Sequence, residues 1–108
     1  DRTKRPIMGR IAGALSDYAI ITSDNPRSEE PMAIIAEVEA GLKEVSKNYE
    51  VDEDRRKAIQ IALNLAKAGD VVIIAGKGHE DYQLVKDKVL SFDDRKVARE
   101  ILRDIKEK

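Results

Sequence analysis

A carboxylate, an amide and a guanidinium stand close together in the segment DNPR, which contains Asp24, Asn25, Pro26 and Arg27. The guanidinium of Arg27 is planar and permanently charged, and it follows a proline that restricts the backbone. Such a group can hold a carboxylate through two parallel hydrogen bonds. An ordinary turn is the alternative, because Asn-Pro initiates turns and an exposed Arg needs no ligand. The segment alone therefore leaves a carboxylate site and a simple turn both open.

The segment GKGHE, at residues 76–80, combines two glycines with three ionisable side chains. Its glycines could let backbone amides approach an anion near Lys77, but the GxxxxGK[ST] spacing of a nucleotide phosphate loop is absent. Because His79 is the chain's only histidine, carboxylates alone would have to complete a metal site, and we predict none. Glu80 could bind an ammonium group. The alternative is that the glycines only turn the chain while His79 and Glu80 remain solvated.

Composition limits the classes of function. The chain has 108 residues, 42% of them hydrophobic and 38% charged, which predicts one soluble globular domain. Its 20 basic and 21 acidic residues give a net charge of -1, so we expect neither a nucleic-acid nor a membrane partner. The lack of cysteine excludes disulfides, thiolate metal sites and thiol catalysis. With no membrane-spanning stretch or signal peptide in the sequence, we expect a cytoplasmic protein.

Hydrophobic periodicity predicts helices that alternate with short strands. The predicted helices cover residues 6–15, 31–45, 54–68 and 93–105, with Gly69 as the residue that ends the third. Strands are predicted at 18–21, 48–51 and 71–75, followed by two more that turn at residues 86–88. The clearest of them is VVIIA, at 71–75, which is apolar on both faces.

This alternation predicts an α/β fold, a Rossmann-like open sheet that is mostly parallel and flanked by helices. In such sheets, ligands bind beyond the carboxyl ends of the strands. DNPR follows the strand at 18–21 and GKGHE follows the strand at 71–75, so we expect both segments to face one crevice. Together they offer an Arg for a carboxylate and a Glu for an ammonium, which suits the end of an amino acid.

The stretches DRTKRPIMG, TSDNPRSEEP and AGKGHEDYQ, in this order and at these separations, resemble the carboxyl-terminal domain of the Mur ligases. They are most similar to the members that add meso-diaminopimelate to UDP-N-acetylmuramoyl-L-alanyl-D-glutamate, and the resemblance covers nearly the whole chain. Relatives that add lysine usually differ at the Arg of DNPR. The resemblance implies an ATP-dependent amide ligase of peptidoglycan synthesis, which activates the D-glutamyl carboxylate as an acyl phosphate for attack by an amine.

The resemblance also implies a set of substrate contacts. Arg27 matches the family's contact to the carboxylate of the distal D-centre, whereas Lys77 and His79 match positions with a supporting role. The positions that match diaminopimelate contacts are Asp24, Asn25, Pro26, Arg27, Gly76 and Glu80. No catalytic residue and no metal ligand is carried over to this chain.

The amino terminus departs from the family pattern. The family shows GGDRDxxKRP after its first strand, and residues 1–6 match only DxxKRP. An Arg of that stretch, another diaminopimelate contact, has no counterpart, and Arg2 falls on a variable position. We therefore expect the sheet to lack the family's first strand, which would leave an open edge. Residues 1–108 would then be one domain of a three-domain enzyme and inactive alone, with ATP and magnesium bound mainly by the other domains.

Two alternatives remain open. The chain could belong to a sister ligase that attaches lysine or a preformed peptide. It could also be a non-catalytic α/β module that binds a peptide or a protein in the same crevice. A GKT-type loop with magnesium ligands upstream would favour a ligase over such a module.

Overall fold

The computed structural model describes residues 2–25, 29–76, 80–85 and 88–107. A 3₁₀ turn at Arg2–Lys4 precedes four α-helices and four β-strands. The helices are α1 (Arg5–Leu15), α2 (Pro31–Leu42), α3 (Arg55–Leu65) and α4 (Asp94–Glu107). The strands are β1 (Ala19–Ile21), β2 (Tyr49–Val51), β3 (Tyr82–Val85) and β4 (Lys88–Ser91). All four predicted helices and four of the five predicted strands are confirmed.

The strands form two separate sheets of two strands each within the described residues. β1 and β2 are parallel, with Ala19 opposite Tyr49 and Ile21 opposite Val51. β3 and β4 form the predicted antiparallel hairpin. The predicted α/β class with a parallel sheet is confirmed, and in the described residues the parallel sheet is small, since β1 pairs with β2 alone.

The prediction of a strand at residues 71–75 is wrong. This segment has no ladder hydrogen bonds to a described strand, and Val71 and Ile73 are each 83% exposed. It does keep a strand-like alternation, since Val72 and Ile74 are half-buried and Ile74 packs against α3 and α4. Apolar composition favours an extended chain, but a strand also needs a neighbour to which its backbone can bond. Only one face of this segment finds a partner among the described residues.

Two apolar clusters form the core. In the first, Ile21 of β1 packs with Ile35 and Leu42 of α2. In the second, Ile59 of α3 packs with Val97 and Ile101 of α4. The carboxyl end of β1 and the end of the 71–75 segment, where the two motifs begin, are thus anchored to different clusters.

Helix α1 meets α2 through glycines instead of through its apolar stripe. Gly9 and Gly13 are buried, whereas Ile7, Ile11 and Leu15 remain exposed. A Cβ added at Gly9 would overlap the backbone of α2, and one added at Gly41 of α2 would overlap the carbonyl oxygen of Pro6. The two backbones are therefore too close for any side chain between them.

Helix α3 begins at a capping residue and ends earlier than predicted. The carboxylate of Asp54 accepts a hydrogen bond of 3.2 Å from the backbone amide of Lys57. The helix ends at Leu65, so the prediction that Gly69 follows its last turn directly is wrong. Gly69 instead lies in the loop beyond, where its φ of 93° suits a residue without a Cβ.

We expect the Gly41→Ala variant to be less stable than the natural chain by about 1–3 kcal/mol, because the added methyl must push α1 and α2 apart. Helix propensity alone predicts the opposite, a gain of about 1 kcal/mol. Urea unfolding measures the difference. As a control, Ala40→Gly at the exposed neighbouring position should cost only about 1 kcal/mol. Equal or higher stability of Gly41→Ala would refute the close approach.

We expect the 108-residue chain to self-associate at high concentration through residues 71–75, which pair with no strand among the described residues. Sedimentation velocity over a concentration series measures this. Changing Val71 and Ile73 together to Lys should restore the monomer, because charged side chains oppose edge pairing. Leu102→Lys, on the exposed surface of α4, is the control and should leave association unchanged. A strict monomer of the unmodified chain at millimolar concentration contradicts the prediction.

Candidate functional site

The first motif lies against strand β3. The side-chain oxygen of Asn25 accepts a hydrogen bond of 2.8 Å from the backbone amide of Leu84. The carbonyl oxygen of Asp24 accepts one of 2.7 Å from the side-chain amide of Gln83. DNPR is thereby tied to the strand that follows GKGHE, more than fifty residues later in the chain. The expected meeting of the two motifs is confirmed for the residues that the structure describes.

The carboxylate of Glu80 is held at both oxygens. Asn25 donates to Oε1 from its side-chain nitrogen at 3.4 Å, and the Tyr82 hydroxyl donates to Oε2 at 3.2 Å. Glu80 remains partly exposed. A carboxylate oriented in this way keeps further acceptor capacity and can receive hydrogen bonds from an ammonium group.

Gly76 lies directly beside Asp24. A Cβ added at Gly76 would come within 3.2 Å of the Asp24 side-chain oxygen Oδ2, and the backbone has a φ of 114°. Both the space and the backbone conformation therefore favour glycine at this position. The first residue of GKGHE and the first residue of DNPR are thus neighbours in the fold.

Of the eight residues predicted for the site, the structure brings together Asp24, Asn25, Gly76 and Glu80. The other four lie outside the described residues: Pro26, Arg27, Lys77 and His79.

A buried ion pair that sequence reasoning missed lies beneath the two motifs. Arg55 is 4% exposed, and its Nε and Nη2 donate to the carboxylate of Asp94 at 2.8 and 2.6 Å. Its remaining donors reach backbone carbonyls: Nη1 bonds to Ser23 at 3.0 Å and Nη2 bonds to Ala75 at 3.0 Å. A signal was available, because Arg55 opens α3, where the helix dipole disfavours a cation.

A second arginine, Arg5, binds Glu29, which follows the first motif in the sequence. Arg5 of α1 bonds to both carboxylate oxygens of Glu29 at 2.9 and 3.0 Å and to Glu37 of α2 at 2.7 Å. These hydrogen bonds lower the pKa of both glutamates and raise the pKa of Arg5. Glu29, two positions after Arg27 in the sequence, is thus held by Arg5.

Two buried hydroxyls lie at the carboxyl end of β1. The side-chain oxygens of Thr22 and Ser23 are buried and have no hydrogen-bond partner among the described residues. Each such group costs about 1–3 kcal/mol when left unsatisfied, so optimal packing alone does not account for them. Their position directly before DNPR supports a functional role for this loop.

The described residues have the chemistry of a binding site for a small polar molecule. They contain no group of three or more His, Cys, Asp or Glu side chains that could hold a metal ion. None of their helices is long and apolar enough to cross a membrane. Two carboxylates and a side-chain amide meet instead around a glycine turn, an arrangement that suits a ligand carrying an ammonium group.

We expect the stabilising effect of Arg5 to depend on pH. The pKa values of Glu29 and Glu37 are lowered from an ordinary 4.5, so the folded chain binds protons less readily than the unfolded chain. The stabilisation is therefore fully present above pH 4.5 and is lost as the pH falls through the lowered values. The unfolding free-energy difference between the natural chain and Arg5→Gln should shrink correspondingly.

Denaturant unfolding at several pH values measures this difference. Arg10→Gln is the control. Arg10 lies on α1, as Arg5 does, and its ion pair with Glu44 is exposed, so the substitution should change stability little at any pH. A free-energy difference for Arg5→Gln that stays constant down to pH 3, or grows on acidification, would contradict the prediction.

Comparison with known proteins agrees with this geometry. The family model described as Mur ligase, glutamate ligase domain, matches residues 1–78. The UDP-N-acetylmuramoyl-L-alanyl-D-glutamate--2,6-diaminopimelate ligase of Syntrophomonas wolfei is 62% identical over 104 residues, which cover 95% of this chain and 21% of the relative. The protein of the same name from Caldanaerobacter subterraneus is 55% identical over 102 residues, with 94% and 21% covered.

A solved structure of a ligase with this name shares the fold. It superposes with a TM-score of 0.90 at 40% sequence identity, and the match covers 98% of this chain and 22% of that one. The chain thus spans about a fifth of the length of these relatives. Because the family model matches most of the chain and the relatives align over nearly all of it, this chain belongs to the Mur ligase family, in its glutamate ligase domain.

Proposed function

We propose that residues 1–108 are the amino-acid-binding domain of a three-domain, ATP-dependent ligase. The whole enzyme would add meso-diaminopimelate to UDP-N-acetylmuramoyl-L-alanyl-D-glutamate in peptidoglycan synthesis, as the names of the relatives indicate. The observation that carries the proposal is the meeting of Asp24, Asn25 and Glu80 at one point of the fold. We propose the cytoplasm as the location of this reaction.

Diaminopimelate differs from lysine at its far end, where it carries a second carboxylate beside its ammonium group. Glu80, held by Asn25 and Tyr82, offers an acceptor for the ammonium. Arg27, two residues after Asn25 in the same motif, supplies the guanidinium for the carboxylate. The two charges of one amino-acid end would thus be met by groups from two loops, and a ligand without the carboxylate would leave Arg27 unpaired.

The role of this domain in the reaction is to position the attacking amine. In the proposed ligase, the D-glutamyl carboxylate becomes an acyl phosphate, the free amine of diaminopimelate attacks its carbonyl carbon, and phosphate leaves as the amide forms. A ligand gripped at its distal end presents its other amine in a fixed direction. Holding two reactants in the correct geometry can contribute about 7–11 kcal/mol toward lowering a barrier.

ATP and magnesium would be bound mainly outside this domain. The sequence has no nucleotide phosphate loop, and the described residues have no carboxylate or histidine cluster for a metal ion. We therefore assign both to the parts of the enzyme that the relatives have beyond this domain, and no step of the reaction is assigned here to a residue that would bind them.

Exchange of Arg27 in the full-length enzyme tests the assignment of the amino acid. We expect Arg27→Ala to lower kcat/KM for diaminopimelate by about tenfold to a hundredfold, which corresponds to the loss of one charged contact. The KM for ATP should stay the same. Arg27→Lys should rescue poorly, because an ammonium cannot form the bidentate pair. Glu80→Gln should weaken diaminopimelate use without creating activity toward lysine.

The measurement is kcat/KM for diaminopimelate and for lysine in each variant. Arg99→Ala, at an exposed position on α4, is the matched control and should change neither value. If Arg27→Ala leaves the preference between the two amino acids unchanged, DNPR is only a turn and the assignment of diaminopimelate fails. A natural enzyme that prefers lysine or a preformed peptide would indicate a sister ligase, and a full-length protein without ligase activity would indicate a binding module.

A further inference from the structure

One side chain, that of Arg55, forms hydrogen bonds to the backbone just before each of the two motifs. Arg55 bonds to the carbonyl of Ser23, directly before Asp24, and to the carbonyl of Ala75, directly before Gly76. Each motif therefore begins at a backbone group that the same guanidinium holds.

Backbone pairing does not set the distance between the two loops in the described residues. β1 forms its ladder with β2, and residues 71–75 form no ladder. The two segments also pack on different apolar clusters, one around Ile35 and the other around Ile59. The fork of Arg55 therefore helps to fix the separation of the two loops, together with the hydrogen bonds that join Asp24 and Asn25 to residues 80–84.

The fork itself is rigidly oriented. Asp94, which is 5% exposed in the first turn of α4, accepts hydrogen bonds from Nε and Nη2 and so fixes the plane of the guanidinium. The two carbonyls are then bound by donors whose directions are already set. A lysine could approach one of these acceptors, but its single ammonium cannot reproduce four hydrogen bonds from one plane.

We propose that Arg55 is a positioning residue of the amino-acid site, which sets the separation of the DNPR and GKGHE loops. This inference rests on the proposed function, because the separation matters only if one ligand is gripped from both loops. A bifunctional ligand end held by Arg27 and Glu80 is sensitive to that separation, whereas substrates bound elsewhere in the enzyme are not.

The test uses the full-length enzyme with Arg55→Lys, and with Asp94→Asn as a second variant that keeps the side-chain shape. We expect the KM for diaminopimelate to rise by about tenfold or more, since a displacement of about 1 Å in a positioned group can cost a hundredfold in rate. The KM values for ATP and for the UDP-linked substrate should change less than about threefold. A rise confined to the KM for diaminopimelate would indicate a positioning role, whereas a general loss of structure would change the KM values of all three substrates.

The neighbouring pair provides a matched control. Arg56 and Glu100 join the same two helices at 3.0 Å, but their side chains are 47% and 41% exposed and bind neither carbonyl. Arg56→Ala should therefore leave all three KM values unchanged. Combining Arg55→Lys with Glu80→Gln should give a loss of diaminopimelate affinity smaller than the product of the single losses. Both substitutions weaken the same contacts with the distal end of diaminopimelate.

Each outcome decides between the two proposals. A folded Arg55→Lys enzyme with an unchanged KM for diaminopimelate overturns the positioning role, while the assignment of diaminopimelate still stands if Arg27→Ala impairs its use. If both the Arg55 and the Asp94 variants fail to fold, or lose all three substrates equally, the pair is structural and the inference is wrong. If Arg27→Ala and Glu80→Gln are both silent, the proposed function fails.

Discussion

The ion pair between Arg55 and Asp94 links four separate segments of this fold. It lies between the amino-terminal ends of α3 and α4, and through Ser23 and Ala75 it reaches the ends of both motif-bearing segments. A buried pair of this kind is rarely a net source of stability, because desolvation offsets much of the attraction. Removing one partner is nevertheless costly, at about 3–5 kcal/mol. The pair therefore contributes more to fixing the positions of these segments than to the stability of the fold.

Local sequence patterns predict most of the elements because these patterns depend on short-range physics. The helices follow from apolar residues at helical spacing, and the hairpin follows from two short runs, each with a Leu and a Val, around a polar turn. Residues 71–75 show where this reasoning stops. VVIIA has strong strand propensity, yet whether it becomes a strand depends on a neighbouring backbone that no local pattern encodes. The α1 stripe is similar, since Gly9 and Gly13 decide which face is buried.

Local sequence also predicts one part of the candidate site and misses another. DNPR and GKGHE could be found from residue types and from their places after predicted strands, and the described part of each motif does meet the other. Arg55 could not be found by motif, although it lies one helical turn before Ile59, on the buried face of α3. Its partner Asp94 is the first residue of another helix, 39 positions later. Long-range ion pairs of this kind leave at most an indirect trace, here a cation at an unfavourable helix end.

The contact between α1 and α2 has a mechanical consequence. Because their backbones meet at Gly9 and Gly41 with no side chains between them, the two helices lack a compressible layer and would move as one body. Arg5 couples that body to Glu29, just beyond the loop that carries Arg27. A displacement of α1 would therefore carry α2 and Glu29 with it.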